Sequence, residues 1–190
     1  MLLELLRDAD VLVHGYRSDA LDRLELGAEL RRQIRPGLVD IALDAYGWSG
    51  PWRTRRGFDS LVQMSTGIAE EGIRTLGKDQ PAPLPVQAID HATGYLLAAA
   101  TLRGLTERAR TGRGFEARAS LTRTAQSLIG GPRRDGSGDL GVPAEDDWSE
   151  DPESTAFGTA QRLKSPVTID DEPLRWDRPA ARLGSSPPVW

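Results

Sequence analysis

Asp90 stands at the head of the run Asp90-His91-Ala92-Thr93-Gly94-Tyr95-Leu96-Leu97-Ala98-Ala99-Ala100. The run predicts a long helix from His91 to about Arg110. The first turn of a helix leaves backbone N–H groups unpaired and carries the positive end of the dipole. A carboxylate there is expected to stay ionised, which is the form a nucleophile or general base requires. Asp is also a favoured helix cap, so this position by itself proves no chemistry. Arg53, Arg55 and Arg56 form a second chemical feature. Clustered guanidinium groups suit phosphate, although they equally suit a solvated surface. His91 neighbours Asp90 but projects about 100° away around a helix, so the two are not expected to act as an acid–base pair. With His14 it completes the histidine count, and the chain has no Cys. Thiolate chemistry, disulfides and Cys-ligated metal are therefore excluded.

The elements that would hold these groups follow an α/β pattern. Leu2, Leu3, Leu5 and Leu6 fit one face of a short helix ending near Asp8. Asp10 to Gly15 reads as a short buried strand, and Ser18 as a cap for a helix from Asp19 to Leu24. Residues 28–35 predict another helix, halted at Pro36-Gly37, and a second strand runs from Leu38 to Leu43. Strand, helix, strand at this spacing indicates a parallel sheet. The loop Ala45 to Trp52 follows that strand, and ligand crevices of open α/β sheets lie at such carboxyl ends. Phe58 to Ala69 predicts a helix burying Leu61, Val62, Met64 and Ile68. Residues 70–89 are expected to be irregular. The helix beginning at His91 is apolar on most sides, so Tyr95, Leu96, Leu97, Leu102 and Leu105 are expected to be largely buried. A strand over Phe115–Ala119 and a helix over Leu121–Ile129 complete this part.

After Gly130 the composition turns to Gly, Pro, Ser, Asp and Glu. Residues 130–153, with Gly130-Gly131 and Gly136-Ser137-Gly138, read as a flexible linker. Residues 154–190 are too poor in apolar side chains to fold alone and are expected to dock back on residues 1–129. A hydrophobic content of 38% over 190 residues agrees with part of the length remaining unpacked. The net charge of −4 argues against a nucleic-acid binder. No run is long enough to cross a bilayer, and the charged start does not read as a signal peptide, so a cytoplasmic protein with no membrane partner is expected.

The order of motifs resembles the family III CoA-transferases, which include formyl-CoA transferase, the carnitine CoA-transferases and the α-methylacyl-CoA racemases. The resemblance runs through Ala9-Asp10-Val11-Leu12-Val13, Ala20-Leu21-Asp22-Arg23-Leu24 and Arg35-Pro36-Gly37-Leu38-Val39. It continues through Tyr46 to Pro51, Gly57 to Gln63, Asp90 with Gly94, and Arg108 to Gly114, collinearly over residues 1 to about 125. Arg178 to Gly184 is similar to the end of that family's chain. The resemblance implies a Rossmann-like open parallel sheet with flanking helices, here incomplete. It implies that Asp90 attacks an acyl-CoA thioester, giving a mixed anhydride and then an aspartyl-CoA thioester that a carboxylic acid acceptor resolves. Arg23 and Arg56 match basic CoA contacts, and Ala20 and Phe58 match positions at the same site. Coenzyme A is then a substrate, with no tightly bound cofactor or metal. The racemases carry a His where Phe58 stands. Phe cannot move a proton, so racemase chemistry is not expected.

The family's chains are much longer. They carry the first half of the sheet domain ahead of the segment matched here, and a smaller domain between the positions of Ile129 and Ser154. A sheet lacking its first strands is expected to expose an edge and an apolar face that a partner must cover. Either a homodimer or a complementing N-terminal half would serve. Two classes of function follow from this. One is a CoA-transferase that needs the missing half, and the other is a non-catalytic, truncated structural or interaction module. A generic nucleotide-binding module is disfavoured, because no glycine-rich strand-to-helix fingerprint is present.

Overall fold

A computed structural model describes residues 1–132, 141–187 and 189. The chain divides into two compact units, residues 1–132 and residues from 133 onward. Residues 133–140 of the expected linker, Gly136-Ser137-Gly138 among them, lie outside the described residues.

The first unit runs α1 (Leu2–Asp8), β1 (Val11–His14), α2 (Ala20–Arg23), α3 (Ala28–Ile34), β2 (Val39–Asp44), α4 (Asp59–Thr66), α5 (Ile68–Leu76), α6 (Ala88–Thr111), β3 (Phe115–Ser120) and α7 (Leu121–Ile129). The three strands form one parallel sheet in the order β1-β2-β3. Val39 is opposite Val11 on one side and Phe115 on the other. The expected α/β class with a parallel sheet and flanking helices is the observed one.

Alternation along β2 gives the sheet two unlike faces. Val39, Ile41 and Leu43 face α6 and pack with Leu97, Ala100, Leu105, Phe115 and Ala117. Gly104 allows this approach: a Cβ added there would lie 2.6 Å from Val39 Cγ1 and 2.7 Å from Phe115 Cδ1. The opposite face carries Asp40, Ala42 and Asp44. There Arg31 reaches Asp40 Oδ2 through Nε at 2.8 Å and Nη2 at 2.7 Å. Burial pushes the Asp40 carboxyl up, but His14 and Arg31 outweigh it and the net shift is downward. This second face is thus polar and ion-paired rather than apolar. On the edge strand β1 an apolar side chain is left uncovered, with Val13 55% exposed. The expectation of a buried strand at residues 10–15 is corrected accordingly.

Other expectations are corrected too. Residues 70–76, expected to be irregular, are helical, because Gly67 at φ +93° ends α4 and lets α5 (Ile68–Leu76) start directly. Leu61 and Met64 are exposed while Val62 and Ile68 are buried. On α6 only the stripe Ile89, Thr93, Leu97 and Gly104 is buried, and Tyr95, Leu96 and Leu102 are exposed. A helix lying on one sheet face buries one stripe, whatever the hydrophobicity of its other sides. Ser18 does not cap α2; its hydroxyl donates to the Arg53 carbonyl at 2.7 Å.

The second unit holds two small antiparallel hairpins, β4 (Glu153–Thr155) with β5 (Gly158–Ala160) and β6 (Thr168–Ile169) with β7 (Glu172–Pro173). Arg162 pairs with Glu153 at 2.7 Å and lies over the Trp176 ring. No helix among the described residues is long and apolar enough to cross a membrane.

Candidate active site

A cleft of about 430 Å³ opens where the carboxyl ends of β1 and β2 meet the starts of α4 and α6. Gly15, Tyr16, Arg17 and Ala20 line it from the segment after β1. Leu43, Asp44 and Ala45 line it from the end of β2. Arg55, Arg56, Gly57 and Phe58 come from the loop before α4, and Asp90 from the first turn of α6. Chain ends of parallel strands gather loops from different parts of the sequence, so a crevice at this edge is the expected consequence of the topology.

Asp90 is exposed on the cleft wall as the third residue of α6, whose cap is Gln87. The carboxylate that satisfies the helix start is a different one. Asp59, buried at the start of α4, accepts the Asp90 backbone N–H at Oδ2, 2.9 Å away. Asp59 Oδ1 accepts from the Gln63 side-chain amide. The same amide group donates to the Val86 carbonyl, and Gln63 Oε1 accepts the Leu84 N–H at 2.7 Å. This network fixes the residues that lead into α6. It also alters the charge of Asp90. Partial burial pushes the Asp90 carboxyl above the usual range, the negative Asp59 adds to the rise, and His91 partly opposes it. The helix start therefore does not lower the Asp90 carboxyl: the backbone N–H of Asp90 serves Asp59.

The predicted site residues Ala20, Arg56 and Phe58 line the cleft with Asp90. Phe58 is 78% exposed, at the mouth. Arg23 does not line the cleft; its guanidinium pairs with Asp19 at 2.6 Å. Arg17 and Asp44 also line the cleft and were not singled out from the sequence, and Arg55 lines it too, having entered there only as a member of the basic cluster. Arg55 lies over the Trp52 ring, 4.4 Å from its centroid. Neither Arg17 nor Arg56 makes an ion pair among the described residues, which leaves two cations available to an anionic ligand. For Arg55 the sequence signal was its place in the basic cluster. For Asp44 it was a second acid in β2 after Asp40, at the end of the strand where the loop begins.

The model of CoA-transferase family III matches residues 1–161. The chain belongs to that family. An acyl-CoA transferase of Fusarium pseudograminearum is 35% identical over 133 residues, covering 68% of this chain and 28% of that protein. The (R)-2-hydroxy-4-methylpentanoate CoA-transferase of Clostridioides difficile is 31% identical over 125 residues, 66% of this chain and 31% of its own. Among solved structures, Rv3272 of Mycobacterium tuberculosis superposes with TM-score 0.61 at 32% identity, covering 67% of this chain and 35% of that one. A CaiB/BaiF family protein from Brucella suis shares the fold, with TM-score 0.55 at 23% identity over 83% of this chain and 43% of its own. This family III chain thus spans under a third of the length of the curated relatives named here.

Proposed function

We propose that this chain carries the nucleophile-bearing part of a CoA-transferase, which moves CoA from an acyl-CoA to a carboxylic acid. The observation that carries the reading is Asp90 on the wall of a cleft that Arg17, Arg55 and Arg56 also line. In the proposed reaction an Asp90 oxygen attacks the thioester carbonyl carbon. The C–S bond breaks, and a mixed anhydride and the CoA thiolate result. The thiolate then attacks the Asp90 carbonyl, releasing the first acid as its carboxylate and leaving an aspartyl-CoA thioester. The acceptor carboxylate repeats the sequence in reverse, so Asp90 ends as a free carboxylate and CoA leaves on the second acid. A carboxylate whose pKa is raised is a better nucleophile once ionised than an ordinary Asp, because it is less stabilised by solvent.

In this reading Arg56 and Arg17 hold the CoA phosphates, with Ala20 and Phe58 beside them. Arg23 joins them only if it leaves Asp19. The chain's share of its relatives' length supports a further element: full turnover requires an N-terminal half supplied by a different chain or as part of a longer polypeptide. The protein would work in the cytoplasm on an acyl-CoA and a free acid, with no resident cofactor. The test is exchange of a 14C-labelled free acid into its CoA thioester, run with the 190-residue protein alone and with the N-terminal half of a relative added. Exchange that Asp90→Asn abolishes supports the reading. Absence of exchange in both mixtures would favour a non-catalytic interaction module.

A further inference from the structure

Asp44 lines the cleft and takes no part in the proposed transfer. It is 5% exposed at the end of β2, opposite Ser120 of β3. Its Oδ1 accepts the Gly47 N–H at 2.6 Å, a contact made by the turn in which Gly47 adopts φ +86°. Its Oδ2 is buried and has no hydrogen-bond partner among the described residues. A buried carboxylate oxygen without a partner is costly, typically about 1–3 kcal/mol or more. A buried polar group of this kind calls for an explanation, and a functional role at a site is one.

The surroundings narrow the ligand group. Arg17, Arg55 and Arg56 line the same cleft, yet none of them pairs with Asp44. Three guanidinium groups disfavour an ammonium at that place, whereas a neutral donor meets no such repulsion. Leu43, Ala45 and Leu121 supply apolar wall to the same cleft, which suits a short carbon chain.

We propose that Asp44 is a specificity-determining residue whose free Oδ2 accepts a hydrogen bond from a hydroxyl on the acyl group bound beside Asp90. This inference rests on the cleft being the acyl-CoA site. Donor and acceptor acids occupy Asp90 in turn, so a hydroxyl on either one would be read. The carboxyl is pushed up to about 6 by burial, against the pull of the Gly47 N–H, and is therefore mostly ionised and accepting at pH 7.5.

The test is calorimetric binding of butyryl-CoA, 2-hydroxybutyryl-CoA, 3-hydroxybutyryl-CoA and CoA alone to the 190-residue protein at pH 7.5. A charge-assisted hydrogen bond predicts that one hydroxylated ligand binds about tenfold more tightly than butyryl-CoA. In Asp44→Asn, which keeps an acceptor for Gly47, that preference should fall to about twofold or less. A merely structural role would weaken all four ligands together. Equal binding of the three acyl-CoAs to the unsubstituted protein, with CoA still bound, overturns the role of Asp44. Failure of CoA itself to bind overturns the cleft assignment, and this inference with it. The unsubstituted protein can overturn the inference even if this variant does not fold, and Asp44→Ser, which also removes the free carboxylate oxygen, then reads the same loss of preference.

Discussion

Asp59 Oδ2 accepts the backbone N–H of Asp90 at 2.9 Å, so one carboxylate occupies the helix start that would otherwise stabilise the other. The two acids have separate tasks. Asp59 is 1% exposed and anchors α6 to α4, whereas Asp90 is left on the cleft wall with its titration raised. Asp59→Asn loses one of two accepted hydrogen bonds, since an amide offers a single acceptor oxygen. The expected cost is about 1–2 kcal/mol in denaturant unfolding. In the same variant the Asp90 carboxyl, followed by carbon-13 NMR, should titrate lower because a negative neighbour is gone. An unchanged or higher titration would contradict the coupling.

Asp44 links stability to pH. Its folded-state pKa of about 6 lies above the ordinary value of 3.8. A raised carboxylate contributes most stability below its unfolded pKa and loses that contribution as pH rises through the folded one. Asp44→Asn should therefore be the more stable protein at pH 7.5, by roughly 1–3 kcal/mol. The advantage should shrink by pH 4.5. Thermal melts at the two pH values check this, and an advantage that grows on acidification would refute the assignment.

CoA binding should depend on the cations that lack partners. Arg17→Gln and Arg56→Gln should each weaken CoA binding by about tenfold in calorimetry at low salt. Arg23→Gln should change it little, because Arg23 is held by Asp19. A loss at Arg23 equal to that at Arg56 would mean that the Asp19 pair opens when CoA binds.

Gly104 is required for packing rather than chemistry. Gly104→Ala would place a methyl group against Val39 and Phe115. Overpacking at a helix–sheet contact predicts a loss of about 1–3 kcal/mol, read from denaturant unfolding, with α6 pushed off the sheet. Unchanged stability would show that the helix shifts at no cost.

Much of this architecture is legible along the chain because it is locally encoded. Val39, Ile41 and Leu43 announce β2, and the motif order around Asp90 announces the family. What escaped the sequence was decided at a distance. Asp59 and Asp90 are 31 residues apart, and nothing local shows that the first completes the helix of the second. Asp44 falls between an apparent strand and an apparent loop; only its pairing with Ser120 of β3 extends the strand to include it. The exposure of Tyr95, Leu96 and Leu102 was likewise invisible, since hydrophobicity records what a helix can bury and not how many neighbours it has.

The central claim is that Asp90 is the acyl-accepting nucleophile, and hydroxylamine trapping tests it most directly. The protein is incubated with acyl-CoA and hydroxylamine, with an N-terminal half from a relative present, then digested and mapped by mass spectrometry. A hydroxamate at Asp90, absent from Asp90→Asn, is the expected result. An unmodified Asp90 in a mixture that still binds CoA would contradict it.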